Sequence, residues 1–288
     1  IPDDLHYEWS EALLKVGIPI MVVKPLTLKL NESINLYKLS KKMSVPLFVE
    51  FHKRFDRQIK YVRDSFQNGL IGEPLYSFTE YTQKKEVPTE NFKNWVQRSN
   101  IFSYLGVHYV DVMRYVTGAV PKRVIASGQK YFLSKEGINT HDSIQCNIQW
   151  ETSSKISFNQ FIISSWIESN KSSSMSKQDF HLVGTKGRLD CDQKDRGLSI
   201  LTDDEFTEDV NPDFSKIYSY KESFIFEGYG IDSITTFLGN VINEFKFKND
   251  HRICDVKEAI YSTAVIEAAF LSLKNNSIWT DIEPLDIK

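Results

Sequence analysis

The 288 residues carry 35 Lys and Arg against 38 Asp and Glu, a net charge of −3, with 41% hydrophobic residues. This is the composition of a globular chain of one large or two ordinary domains, and it lacks the basic excess of a nucleic-acid binder. Cys146, Cys191 and Cys254 lie far apart with no CxxC or Cys/His spacing, which argues against a metal site, and no apolar run reaches the ~18 residues of a membrane span. A cytoplasmic protein is expected.

Residues 5–16 place Leu5, Trp9, Leu13 and Val16 at helical spacing, with Gly17 as a C-cap. A strand follows over 18–23, a helix over 31–44, a strand over 46–51 and a helix over 57–69. Alternation of apolar strands with helices predicts parallel strands covered on both faces. After a Gly/Pro-rich boundary near 68–74 the texture changes. Strands are expected at 74–83, 123–132, 143–151, 155–166, 179–192 and 198–202, with a helix over 101–117 and loops over 164–177 and 203–222. Strands in series predict an antiparallel sheet. Helices over 230–245 and 256–275 finish the chain, the second capped by Asp255. The expected fold class is α/β: a partial Rossmann unit (1–72), then an α+β domain (73–288) with an open, mostly antiparallel sheet.

Three stretches carry chemistry. Lys24 ends a buried strand, where open parallel sheets bind ligands; the alternative is a lysine snorkelling at a strand exit. The next strand exits into His52-Lys53-Arg54-Phe55-Asp56, in which Arg54 contacts a ligand, pairs with Asp56 or caps carbonyls. Tyr104, His108 and Asp111 fall on one helical face at i, i+4 and i+7, where Asp111 can fix the tautomer of His108; the alternative is a buried histidine satisfied by Asp111. The sequence contains no GxGxxG, GxxxxGK[ST] or GxSxG.

In this order the stretches resemble the glucose–fructose oxidoreductase/inositol dehydrogenase/MocA family of NAD(P)-dependent dehydrogenases. Its Glu-Lys-Pro motif matches Val23-Lys24-Pro25, and its His-Arg-Phe segment matches His52 to Asp56. Its G-x-(I/L)-G matches Gly69 to Gly72, its G-x-H-x-x-D matches Gly106 to Asp111, and its G-T-x-G matches Gly184 to Gly187. The resemblance implies a Rossmann domain followed by an open mixed sheet. It implies Lys24 and His108 as catalytic groups beside the nicotinamide, with Tyr104 standing where the family often has Asp or Asn. Substrate contacts would come from Lys24, Arg54, Tyr81, Trp95, Tyr104, His108, Asp111 and Tyr229. Contacts with NAD or NADP would come from Pro2, His6, Val23, Lys24, Pro25, His52 and Arg54. Val23 replaces the motif glutamate. The resemblance begins near the family's fourth strand, so its glycine-rich loop and acidic ribose ligand have no counterpart in these residues.

The implied activity is hydride transfer between a nicotinamide and a sugar, polyol or sugar acid. Lys24, Lys53, Arg54, Lys84 and Lys85 near the cleft favour a uronate-type substrate, as does the similarity of the tract over 81–95 to galacturonate-reductase-like members. A homodimer or tetramer packed through the open sheet is expected, with no nucleic-acid or membrane partner. The alternative function is a truncated non-catalytic paralogue, serving as an oligomerisation or ligand-sensing module.

Overall fold

The computed structural model describes residues 1–195, 198–200, 208–211, 213–220, 223–242, 250–283 and 285. The chain opens with α1 (His6–Lys15), β1 (Ile20–Val23), α2 (Leu30–Met43), β2 (Leu47–Glu50) and α3 (Arg57–Gln67). β1 and β2 pair in parallel, as their continuous apolar sequences require for strands covered on both faces. Asp56 caps α3, its side chain accepting from the Gln58 amide.

β3 (Pro74–Lys84), α4 (Val107–Thr117), β4 (Val120–Gln129), α5 (Phe132–Lys135), β5 (Ser143–Glu151), β6 (Ser157–Glu168), β7 (Ser176–Gly184) and β8 (Gly187–Asp192) follow. β9 (Leu198–Ile200) pairs with β10 (Glu208–Val210), and β11 (Lys216–Tyr220) with β12 (Ser223–Glu227). α6 (Tyr229–Ile242), β13 (Cys254–Asp255), α7 (Val256–Lys274) and β14 (Thr280–Asp281) complete the chain. The large sheet runs β14-β4-β5-β6-β3-β7-β8, and only the β3–β6 pairing is parallel. α4 is buried on nearly every side: Val107, Tyr109, Val110, Val112, Met113 and Val116 are fully covered. At about 1.5–3 kcal/mol per large apolar side chain, an upper bound, this helix is a main part of the core, and its Tyr109 meets the large sheet at Gln160 and Phe180.

The expected helix over 101–117 is two pieces. Phe102–Gly106 forms a π-helical turn and α4 begins at Val107, with Gly118 as its left-handed cap. The expected strand 123–132 ends at Gln129, because the Asp142 carboxylate accepts the amides of Tyr131, Phe132 and Leu133 and turns them into α5. The serine-rich loop is shorter than expected. β6 continues to Glu168, held by Trp166, which is fully buried and donates to Gln83, and β7 starts at Ser176. The expected loop over 203–222 contains β10 and β11, its residues 203–207, 212 and 221–222 lying outside the described set. Residues 201–202 of the strand expected at 198–202 and 243–245 of the helix expected at 230–245 also lie outside it.

One pairing crosses the expected division at residue 72. β13 lies antiparallel on β2, Cys254 opposite Val49, so residues from the far end of the chain complete the front sheet. The turn at Gly184 pins the other end of the division. Its place admits no side chain, since a Cβ there would lie 2.3 Å from the Ile71 carbonyl oxygen.

Candidate active site

Because β1 and β2 run parallel, their carboxyl ends open at one edge of the front sheet. Lys24 follows the last residue of β1. Glu50 ends β2 directly opposite Val23, and His52 follows in a 3-10 turn spanning His52–Phe55. The π-helical turn brings Tyr104 over this edge, and His108 enters from the first turn of α4. Irregular helical turns of this kind recur where a helix must aim side chains at a site. The result is a cleft of about 710 Å³ lined by Lys24, Glu50, His52, Lys53, Tyr104 and His108, with Tyr81, Gln83 and Lys84 from β3 and Tyr229 from α6.

Lys24 is only 7% exposed. Its ammonium donates to the Tyr104 carbonyl and sits 4.1 Å from the centroid of the Tyr104 ring. Burial pulls its pKa down to about 8, opposed by the charges of Glu50 and Asp3. His108 is 2% exposed and makes no hydrogen bond among the described residues, its Nδ1 being buried without a partner. Burial, reinforced by the charges of Lys24, His52 and Lys53, pushes it well below the usual imidazole value, so it is neutral. Its ring lies 4.7 Å from that of His52. Burial also lifts the Tyr104 phenol to about 12, against a hydrogen bond with Gln83. Lys53 donates to Gln178 and Gln193 and lies over the rings of Tyr81 and Tyr109.

Several expected groupings are not formed. Asp111 does not orient His108. Both its carboxylate oxygens are taken by Arg54, at 2.8 Å and 2.6 Å, and neither residue lines the cleft. The reason is phase: three residues past His108, the helix has turned Asp111 toward the 3-10 turn. Burial opposes the charge on Arg54 but Asp111 overcomes it, holding the guanidinium above its ordinary value. Arg54 therefore pairs with Asp111 rather than Asp56, and its side chain does not line the cleft. Trp95 lies outside the cleft. With Pro2 and His6 it lines an adjoining hollow of about 330 Å³, which shares Val23, Lys24 and Tyr104 with the cleft. Pro25 is buried, its carbonyl held by His6 Nδ1 at 2.7 Å, and is absent from both linings. Lys85 sits over the Phe132 ring rather than in the cleft.

Sequence reasoning passed over Glu50, Gln83, Gln178 and Gln193, all of which line or brace the cleft. Glu50 carried a signal: a carboxylate ending an apolar strand at the same edge as Lys24. Gln83 comes from β3, Gln178 from β7 and Gln193 from just past the end of β8, and only the sheet topology brings them together.

The profile of the oxidoreductase family's C-terminal alpha/beta domain matches residues 63–282. The chain is 25% identical over 237 residues to the myo-inositol 2-dehydrogenase of Thermotoga maritima, covering 82% of this chain and 66% of that protein. It is 30% identical over 128 residues to the scyllo-inositol 2-dehydrogenase (NAD(+)) of Bacillus subtilis, covering 44% of this chain and 36% of that protein. It thus spans less than two thirds of the length of these curated relatives. Its fold is similar to that of a probable dehydrogenase from Thermotoga maritima, at TM-score 0.73 and 19% identity over 99% of this chain and 79% of that one. A scyllo-inositol dehydrogenase from Lactobacillus casei, with NAD(H) and scyllo-inositol bound, gives TM-score 0.71 at 15% identity, with the same coverage of both chains. With more than half of its length matched to the family profile, on this fold and around this cleft, the chain belongs to the glucose–fructose oxidoreductase/inositol dehydrogenase/MocA family of oxidoreductases.

Proposed function

We propose that this protein is a nicotinamide-dependent oxidoreductase that interconverts a CH–OH group and a carbonyl on a sugar, polyol or sugar acid. The observation that carries the reading is the meeting of a buried Lys24 ammonium and a neutral, unengaged His108 in one cleft. The relatives named for inositol dehydrogenation support the reaction class.

The residues present fit the reacting end of a nicotinamide: the hollow lined by Pro2, His6 and Val23 adjoins the cleft at Lys24. When bound, the nicotinamide supplies the hydride acceptor or donor. The chain's own residues manage the oxygen. The Lys24 cation stabilises the developing alkoxide, and a cation there lowers the hydroxyl pKa. Neutral His108 accepts the hydroxyl proton, which it can do only because burial keeps its imidazole uncharged. Tyr104 carries the Lys24 amine on its ring face, and its phenol, braced by Gln83, stays protonated as a donor.

Among the described lining residues, Lys24, Lys53, Lys84, Lys194 and Lys216 face one carboxylate, Glu50. That imbalance favours an anionic, uronate-type substrate. We also propose a homodimer or tetramer packed through the outer face of the large sheet, where Tyr76, Phe78 and Phe161 are 48%, 36% and 40% exposed.

The test is turnover by the protein expressed from its whole gene, with NAD and NADP in turn, against inositols, neutral sugars and sugar acids. Hydride transfer to or from sugar acids, faster than on neutral sugars, is the expected result. Turnover of neutral polyols alone would remove the uronate preference, and no turnover on any of them would remove the enzymatic reading.

A further inference from the structure

We infer that Glu50 sets the charge of this cleft: its carboxylate keeps Lys24 a cation and orients the His52 imidazole. The inference deepens the proposed dehydrogenase chemistry and rests on it only for the rate measurement.

Glu50 is a buried carboxylate, 9% exposed, at the carboxyl end of β2. A buried carboxylate stays ionised only if its oxygens are satisfied and a cation stands near. Both conditions hold. Oε1 accepts from Ser233 Oγ at 2.8 Å, and Oε2 lies 3.2 Å from His52 Nδ1. Burial works against its charge, but His52, Ser233 and the Lys24 charge together hold it below the ordinary carboxylate value.

Glu50 ends β2 and Lys24 follows β1 at the same edge of the front sheet, and both side chains line the one cleft. Val23, which precedes Lys24, is the register partner of Glu50, and its own side chain is apolar and 54% exposed. The carboxylate that shares the cleft with Lys24 comes from the neighbouring strand. The groups facing Lys24 from the packed elements are Asp3 at the N-terminal turn, Glu50 and His52 at the β2 exit, Lys53 beyond them, and Tyr104 and His108 from the π turn and α4. Only Asp3 and Glu50 among these raise the lysine's proton affinity, and Asp3 is itself buried, with a carboxyl pushed up by that burial. The bond to Glu50 also engages His52 through Nδ1, and the His52 ring forms the wall 4.7 Å from His108. Glu50 is in these terms a positioning residue for two cleft groups.

The experiment reads the Lys24 amine directly, by acetic anhydride labelling across pH with peptide mass spectrometry, in the wild type, Glu50→Gln, Asp3→Asn and Val23→Glu/Glu50→Gln. The labelling midpoint of Lys24 should fall by about one pH unit in Glu50→Gln. It should fall less in Asp3→Asn, and rise again when the carboxylate is returned from β1 in the double variant. The alkaline limb of kcat against pH should move with the midpoint. An unmoved midpoint in folded Glu50→Gln overturns the inference, whatever happens to activity. A shifted midpoint in a protein with no turnover on any substrate upholds it and overturns the dehydrogenase reading instead. If Glu50→Gln does not fold, Glu50→Asp withdraws the carboxylate by one methylene, and a midpoint equal to wild type then counts against the inference.

Discussion

An ammonium taken out of water loses hydration that nearby carboxylates restore only in part, which is why the Lys24 amine falls from 10.5 to about 8. Between those two pH values the unfolded chain binds more protons than the folded one. Stability should therefore rise with pH across that window, and at pH 7 the charge costs about 3 kcal/mol. Lys24→Met is accordingly expected to raise the melting temperature at pH 7 while cutting turnover by orders of magnitude. Thermal melts at pH 7 and above pH 10 check it: a lower melting temperature at neutral pH would mean the bond to the Tyr104 carbonyl outweighs the buried charge. His108→Ala should also cut turnover by orders of magnitude with the fold intact, read as kcat alongside circular dichroism. Arg54 and Asp111 make the opposite case. They are 3% and 1% exposed and bind each other, so Asp111→Asn strands a buried guanidinium and should cost about 3–5 kcal/mol in urea unfolding. Loss of turnover at unchanged stability would show instead that Asp111 acts in the cleft. Lys24 was legible in the sequence because a charge ending an apolar strand has few explanations. Asp111 was not legible, because helical spacing alone does not say which of two partners, the His108 imidazole or the Arg54 guanidinium, the turn will meet.

The π-helical turn Phe102–Gly106 is the element on which the candidate site depends. Gly106 lies where a Cβ would come within 2.3 Å of the Phe102 ring and 2.9 Å of Ser164 Oγ. Gly106→Ala must therefore shift the turn that carries Tyr104, at an expected cost of about 1–3 kcal/mol. Activity should fall further than stability, checked by kcat and chemical denaturation of the same preparation; parallel losses would mean the turn is only packing. The parallel pair β1–β2, the Asp255 cap of α7 and the glycine stop of α4 could be read from periodicity and cap chemistry. β13 and β14 could not: two residues each, they are strands only because a neighbour offers hydrogen bonds. The end of β6 was hidden by serines, whose polarity resembles that of a loop until Trp166 is seen buried beneath them.

For the molecule as a whole, the large sheet has α7 and, through Tyr109, α4 packed on it, and an outward face bearing Tyr76, Phe78 and Phe161. If a second copy covers that face, Phe161→Glu should convert the assembly to monomers. Light scattering at micromolar concentration reads this directly, and a wild type that is already monomeric would remove the proposed assembly. Among the described residues no helix is long and apolar enough to cross a membrane.

β13 also bears on biosynthesis. It borders β2 with residues that leave the ribosome after the strands β3 to β12 and the helix α6. Until Cys254 and Asp255 emerge, the Val49 side of β2 has no partner from this strand, and the Cys254 thiol, 3.8 Å from Asp111, is missing from around the Arg54 pair. Contacts this distant in sequence form late and slowly. The nascent chain must hold β1 and β2 without this neighbour while the whole large sheet up to β8 is made, and the front sheet of the candidate site is finished only once β13 emerges.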